Sequence, residues 1–305
     1  MSGFAVKGLA FLEELLAILQ EEVAASQAQV GLMEHWYTCH GLLIRSELAL
    51  PELRQANPGE TALSIVQGHL PPGRPGRQVE EQLATLRIPG VANLRIAEGR
   101  QITVELAPRA TVEQVRPYLL GTGLAAIVHQ RGLLPLHASG LLMDAQGVVL
   151  AGVKGSGKST LAAYGLSSGY HPLCDDVAVI RFSPAPEIVA GPGRLWLNDD
   201  SLEQVGRRPS CAINKGLKRG LDFEARGAYS MSKIFILDPK SSQCVRLRGL
   251  EALGALHKCT FRKGFIPARG HVERLCHLCR HVPVYRLGRS EVWSLSDLLT
   301  QAIRT

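Results

Sequence analysis

The spacing of apolar positions along this chain changes several times, and each change marks a new kind of element. In residues 5–25, Leu9, Leu12, Leu16, Leu19 and Val23 recur at steps of three or four, with Glu13, Glu14, Glu21 and Glu22 on the other side. That period predicts an amphipathic helix, packed on its own domain or against a partner. From residue 35 the period falls to two. Runs at 36–45, 62–70, 91–97 and 101–106 predict strands, and the Pro- and Gly-rich stretch 71–77 predicts an exposed loop. Thr111-Val112-Glu113-Gln114 has the form of a capping box, which starts a predicted helix running to about residue 130.

Beyond residue 133 strands and helices alternate. Residues 141–144 and Val148-Val149-Leu150-Ala151 predict two strands joined by a turn at Gln146-Gly147, and 159–168 predicts a helix broken by Gly169-Tyr170-His171-Pro172. Residues 173–180 read as one apolar strand interrupted by Asp175 and Asp176. A further buried strand is predicted at 234–237, with helices at 250–256 and 272–280. The sum is an α/β chain in three parts: a helical extension over 1–30, an N-terminal mainly β subdomain with some helix over 31–132, and a nucleotide-binding domain over 133–305.

Composition narrows the function classes. The net charge of +7 favours anionic partners, but the chain has no basic block and only 5% aromatics, so no nucleic-acid partner is expected. Seven cysteines without framework spacing suit a reducing compartment. The glutamates inside the first apolar stretch argue against a signal peptide, and no apolar run is long enough for a bilayer. A cytoplasmic protein without a membrane partner is expected.

The strongest chemical signal is Gly152-Val153-Lys154-Gly155-Ser156-Gly157-Lys158-Ser159, followed by Thr160. A glycine, four residues, then Gly-Lys-Ser form the pattern of a phosphate-binding P-loop between a predicted strand and a predicted helix. The glycines let successive amides face one anion, Lys158 brings a cation to the outer phosphates of ATP or GTP, and the Ser159 hydroxyl suits Mg²⁺. Two adjacent acids in an apolar strand need a reason, because unpaired buried charge is costly. At a strand end beside the phosphates, one acid holds Mg²⁺ and the other faces an incoming hydroxyl as base. The alternative is a solvated strand end. Lys215, Lys218 and Arg219 form a short basic loop, either solvated or a clamp on substrate or γ-phosphate. Cys276-His277-Leu278-Cys279 offers half of a zinc pattern, with His257, Cys259, His271 and His281 nearby, but at the helical spacing of core residues.

Leu136-His137-Ala138-Ser139-Gly140, the P-loop and Asp175-Asp176 together resemble HPr serine kinase/phosphorylase. The chain looks closer still to the HPr-kinase-like proteins of ribosomal peptide biosynthesis, including the kinases of lasso-peptide precursors. That subgroup carries segments similar to Tyr37–Leu53, Gly193-Arg194-Leu195-Trp196-Leu197, Thr260-Phe261-Arg262 and Val282–Leu287. The resemblance implies a P-loop fold of the HPr-kinase and phosphoenolpyruvate-carboxykinase type and transfer from Mg²⁺-ATP to a serine hydroxyl. It implies a precursor peptide or small protein as acceptor, and a homo-oligomer. Carried over, Lys158 and Ser159 hold phosphate and metal, and Asp175 and Asp176 share the base and metal roles. Here Asp175 is taken as base and Asp176, with Ser159, as metal ligand. His137 stands beside the catalytic acid, and Arg262 contacts phosphate. Two alternatives remain: a kinase of a small-molecule alcohol or of an HPr-like carrier, and a non-catalytic nucleotide sensor. The Arg-Gly-Leu-Gly-Ile run that HPr kinase/phosphorylase has after its acids is absent, which counts against phosphorylase activity and HPr as substrate. It also leaves one metal-site carboxylate unassigned, with Asp199 and Asp200 as substitutes or as a solvated turn.

Overall fold

Alternating burial along the first hundred described residues closes into one eight-stranded sheet. The computed structural model describes residues 34–210, 214–215, 218–241, 243–261, 263–265, 270–288 and 300. The predicted N-terminal helix and Arg262 lie outside them. The sheet's strands are β1 (His35–Cys39), β2 (Leu42–Ser46), β3 (Arg54–Gln55), β4 (Leu63–Gln67), β5 (Gly76–Val79), β6 (Leu83–Ile88), β7 (Ala92–Ala97) and β8 (Gln101–Leu106). Their order is β3-β1-β2-β4-β8-β7-β6-β5, with β4 parallel to both its neighbours. The predicted strand 36–45 is in fact the hairpin β1–β2. His40 and Gly41 turn it at φ 50° and 73°, and the alternation survives because a two-residue turn preserves the pleat. The predicted loop at 71–77 likewise ends early, since Gly76 and Arg77 already pair with β6.

The sheet's inner face, with Ile44, Leu63, Ile65, Leu94, Ile96 and Ile102, packs on Val115, Leu119 and Ile127. These last belong to one helical run: α1 (Val112–Tyr118), a π-helical turn (Leu119–Gly123) and α2 (Leu124–Gln130). Gln114 Oε1 accepts from the Thr111 amide at 3.0 Å, as a capping box requires. Pro117 lies inside α1, where its missing N–H interrupts the regular ladder just before the π turn.

The second sheet contains β9 (Leu134–Leu136), β10 (Ala138–Met143) and β11 (Gln146–Gly152). After α3 (Lys158–Ser167) it continues with β12 (His171–Cys174), β13 (Ala178–Phe182) and β14 (Pro186–Val189). β15 (Arg194–Leu197) is followed by α4 (Asp199–Gln204), β16 (Asn214–Lys215) and β17 (Lys218–Asp222). The chain then runs through β18 (Ala228–Asp238), β19 (Cys244–Leu247), α5 (Gly249–Cys259), α6 (His271–His281) and β20 (Val284–Gly288). The main path is β12-β10-β11-β18-β14-β13-β9. The eleven-residue β18 is shared: Ala228–Ser230 pair with β14, and Ile234–Asp238 lie between β11 and β20, parallel to both. β11 is apolar without a break because both its faces are covered. Leu161, Ala162 and Ala163 of α3 pack on one side with the small β15-β17-β16 sheet, and Leu256, Leu275 and Leu278 of α5 and α6 on the other. Among the described residues there is more strand than helix in this mixed α/β chain, and no helix is long and apolar enough to cross a membrane.

Two expectations change here. Residues 173–180 are two strands, because Asp176 takes φ 64° and turns the chain from β12 into β13, which pair with different partners. The basic loop is a hairpin, with Lys215 opposite Lys218 and Asn214 opposite Arg219.

Candidate functional site

The glycine-rich loop leaves β11 and enters α3 with Gly152, Gly155 and Gly157 at φ 153°, 83° and 85°. Glycine is required at 152 for a second reason: a Cβ there would sit 2.7 Å from Ser156 Oγ and 3.0 Å from the Leu237 carbonyl. Gly157 caps α3 without a side chain, so the helix's first amides are left to the loop. Lys158 is buried, and its Nζ donates to the carbonyls of Gly152 (3.0 Å) and Val153 (2.9 Å). Burial lowers its pKa, opposed by Asp175, Asp176 and the Cys259 sulfur and reinforced by the nearby Lys218. Val153, Lys154 and Gly155 form the exposed tip, whereas the buried Ser156 donates its amide to Val153. The Thr160 hydroxyl faces away from the loop, 2.9 Å from Ser201 Oγ of α4.

Asp175 is the hub of the site. It is 6% exposed and takes three donors: Ser139 Oγ (2.6 Å) and Ser159 Oγ (2.8 Å) on Oδ1, and the Trp196 amide (2.8 Å) on Oδ2. Burial raises its pKa first, Asp176 adds to that, and the three donors pull it back. The carboxylate therefore joins Ser159 of α3 to β10 and β15. The half-buried Asp176 follows in the left-handed conformation. His137 lies at the junction of β9 and β10. Leu136 pairs with Ala178 and Gly140 with Cys174, so continuing both registers by one residue brings His137 and Ser139 alongside Val177 and Asp175. Its amide donates to the Cys259 carbonyl at 2.7 Å, and its ring meets Phe261 edge-on at 6.0 Å.

The structure thus gathers Lys158, Ser159, Asp175, Asp176 and His137. It also adds Ser139, Trp196 and Lys218. Ser139 stood in a run already singled out, but nothing in the sequence linked it to an acid 36 positions away. Asp199 and Asp200 are exposed in the first turn of α4, which Asn198 caps, and Asp199 pairs with Arg219 at 2.7 Å. Among the described residues no three His, Cys, Asp or Glu side chains are grouped to hold a metal. Cys276 and Cys279 lie half-buried on α6.

No protein-family model matches the chain, and no curated protein matches it. A solved structure that does match is the Hpr(Ser) kinase/phosphatase from Coxiella burnetii, 15% identical, covering 56% of this chain and 93% of that one with a TM-score of 0.31.

Proposed function

We propose that this protein is an ATP-dependent phosphotransferase that moves the γ-phosphoryl group to a serine hydroxyl of a precursor peptide or small protein. The observation that carries this reading is the bond from the P-loop serine to Asp175, with a second acid next in sequence. Nucleotide binding alone needs no second acid. The loop suits a polyphosphate on its own geometry, with free helix amides, positive-φ glycines and a buried lysine. In this reading residues 133–305 form the kinase domain, residues 31–132 the β-rich subdomain, and the chain acts as a homo-oligomer.

Mg²⁺, when bound, supplies charge neutralisation at the β- and γ-phosphates. Ser159 and Asp175 would hold it. The three donors on Asp175 fix its carboxylate and favour the anion against the upward push of burial and of Asp176, which suits a metal-side acid better than a base that must change protonation state. We therefore assign the base to Asp176, the reverse of the assignment made from sequence. Asp176 takes the serine proton as the hydroxyl attacks. His137 flanks the pair, and Lys158, detached from the two loop carbonyls, meets the transferring group.

The test is incubation with γ-labelled ATP, Mg²⁺ and a panel of serine-containing precursor peptides, HPr and small alcohols. Asp176→Asn is expected to lower turnover about 10²–10⁴-fold while ATP still binds. Asp175→Asn should instead raise the Mg²⁺ requirement, and Lys158→Ala should abolish transfer. Tight ATP binding without transfer or hydrolysis, unchanged by Asp176→Asn, would make the protein a nucleotide sensor.

A further inference from the structure

A second group of basic side chains lies where α2, α5 and α6 approach the Phe261 turn. Arg274 of α6 has Nε and Nη2 buried with no hydrogen-bond acceptor among the described residues. Those two atoms form the edge of the guanidinium that grips an oxyanion through two parallel N–H groups. The third nitrogen, Nη1, lies over Gly270, where a Cβ would come within 2.8 Å of it. Glycine at 270, with φ 81°, therefore both starts α6 and makes room for the guanidinium.

Around Arg274 the neighbours are basic too. His129 of α2 is buried, with Nε2 3.1 Å from the Phe261 carbonyl. A carbonyl only accepts, so Nε2 carries the ring proton, and Nδ1 is left buried without a partner among the described residues. His271 and Arg274 are both close enough that their charges resist protonation of His129. His271 Nε2 in turn lies 3.3 Å from His257 Nδ1 of α5. The carboxylate that acts on Arg274 is that of its exposed neighbour Glu273, and it acts through space. Buried donors in folded proteins are almost always paired, and several basic groups do not converge without cost on a guanidinium with two such unpaired nitrogens.

We infer that Arg274, backed by His129 and His271, forms an oxyanion-binding site for a phosphate or carboxylate group, separate from the phosphate loop. The anion accepts from Nε and Nη2 of Arg274, and its charge draws a proton onto Nδ1 of His129. Phe261 lies between this site and the proposed active site: its carbonyl accepts from His129, and its ring meets His137 edge-on.

The test uses the full chain at constant ionic strength. Inorganic phosphate and acetate are titrated separately while the His129 ring signals are followed by NMR, assigned with His129→Gln. A saturable shift is expected, persisting in Lys158→Ala, weakened at least tenfold in Arg274→Gln and partly kept in Arg274→Lys. Whichever anion saturates at the lower concentration identifies the oxyanion. No saturable shift with either anion overturns the inference. So does a shift lost in Lys158→Ala, which would trace it to the phosphate loop, or one unchanged in Arg274→Gln. Should Arg274→Gln fail to fold, Arg274→Lys decides: full affinity in a variant that has lost the fork would equally overturn the site.

Discussion

At the scale of single residues, the site depends on how one buried acid is held. Ser139 gives Asp175 the shortest of its three hydrogen bonds, and it opposes the upward push of burial and of Asp176. If transfer needs Asp175 ionised, activity falls as pH drops through its raised pKa. Ser139→Ala removes a donor that favours the anion, so the acid limb of the kcat/KM profile should move to higher pH. An unmoved limb would show that Ser139 does not tune Asp175. The buried histidines behave in the opposite sense. Burial lowers His40 and His129 to about 4. Both are then neutral in the fold but protonated when unfolded below about pH 6.5, so their stabilisation is present above 6.5 and is lost as pH falls towards 4. At 1.36 kcal/mol per pKa unit, each loses up to about 3 kcal/mol over that window. Urea midpoints measured from pH 7 to 4 should fall less steeply in His129→Gln than in the parent.

Among elements, β11 and α3 were legible because period, glycines and Lys-Ser all point the same way. The acid-bearing stretch was not. Its apolar run is continuous in sequence, and only the backbone turn at Asp176 divides it between β12 and β13. Asp175's link to Ser139 and to the Trp196 amide depends on which strands become neighbours, and no local period encodes that. The glycines of the β10–β11 hairpin have a similarly non-local cause. A Cβ on Gly147 would run into Ile188 Cγ2, and one on Gly140 would run into Ile188 Cδ1. Ile188 of β14 therefore fills the space that both glycines leave. Gly140→Ala, whose new methyl would meet Ile188 Cδ1, should destabilise by about 1–3 kcal/mol through overpacking. Adding Ile188→Val should recover part of that, as read from a double-mutant cycle in urea. Strictly additive effects would sink the explanation.

For the whole molecule, the sequence divided the chain near residue 133, and its hydrophobic clusters do centre on either side of that point. Yet residues 35–305 form one compact unit, because each side reaches into the other. At the β1–β2 turn, a Cβ on Gly41 would lie 3.3 Å from Val189, and His40 lies next to Gly191, whose amide bonds to Leu173 two residues before Asp175. In return Phe265, from the connection between α5 and α6, is buried in the N-terminal core with Ile127 and Leu119. Phe265→Ala should cost about 3–5 kcal/mol. It should lower the protection of β7 and β8 amides in hydrogen exchange as well as that of α5, whereas loss confined to α5 would deny the link. Phe265 also has a consequence for synthesis. A chain made from its N-terminus normally completes early domains first. Here the first sheet lacks one of its core side chains until residue 265 has left the ribosome, so its apolar face waits, partly uncovered, while residues 107–265 are made.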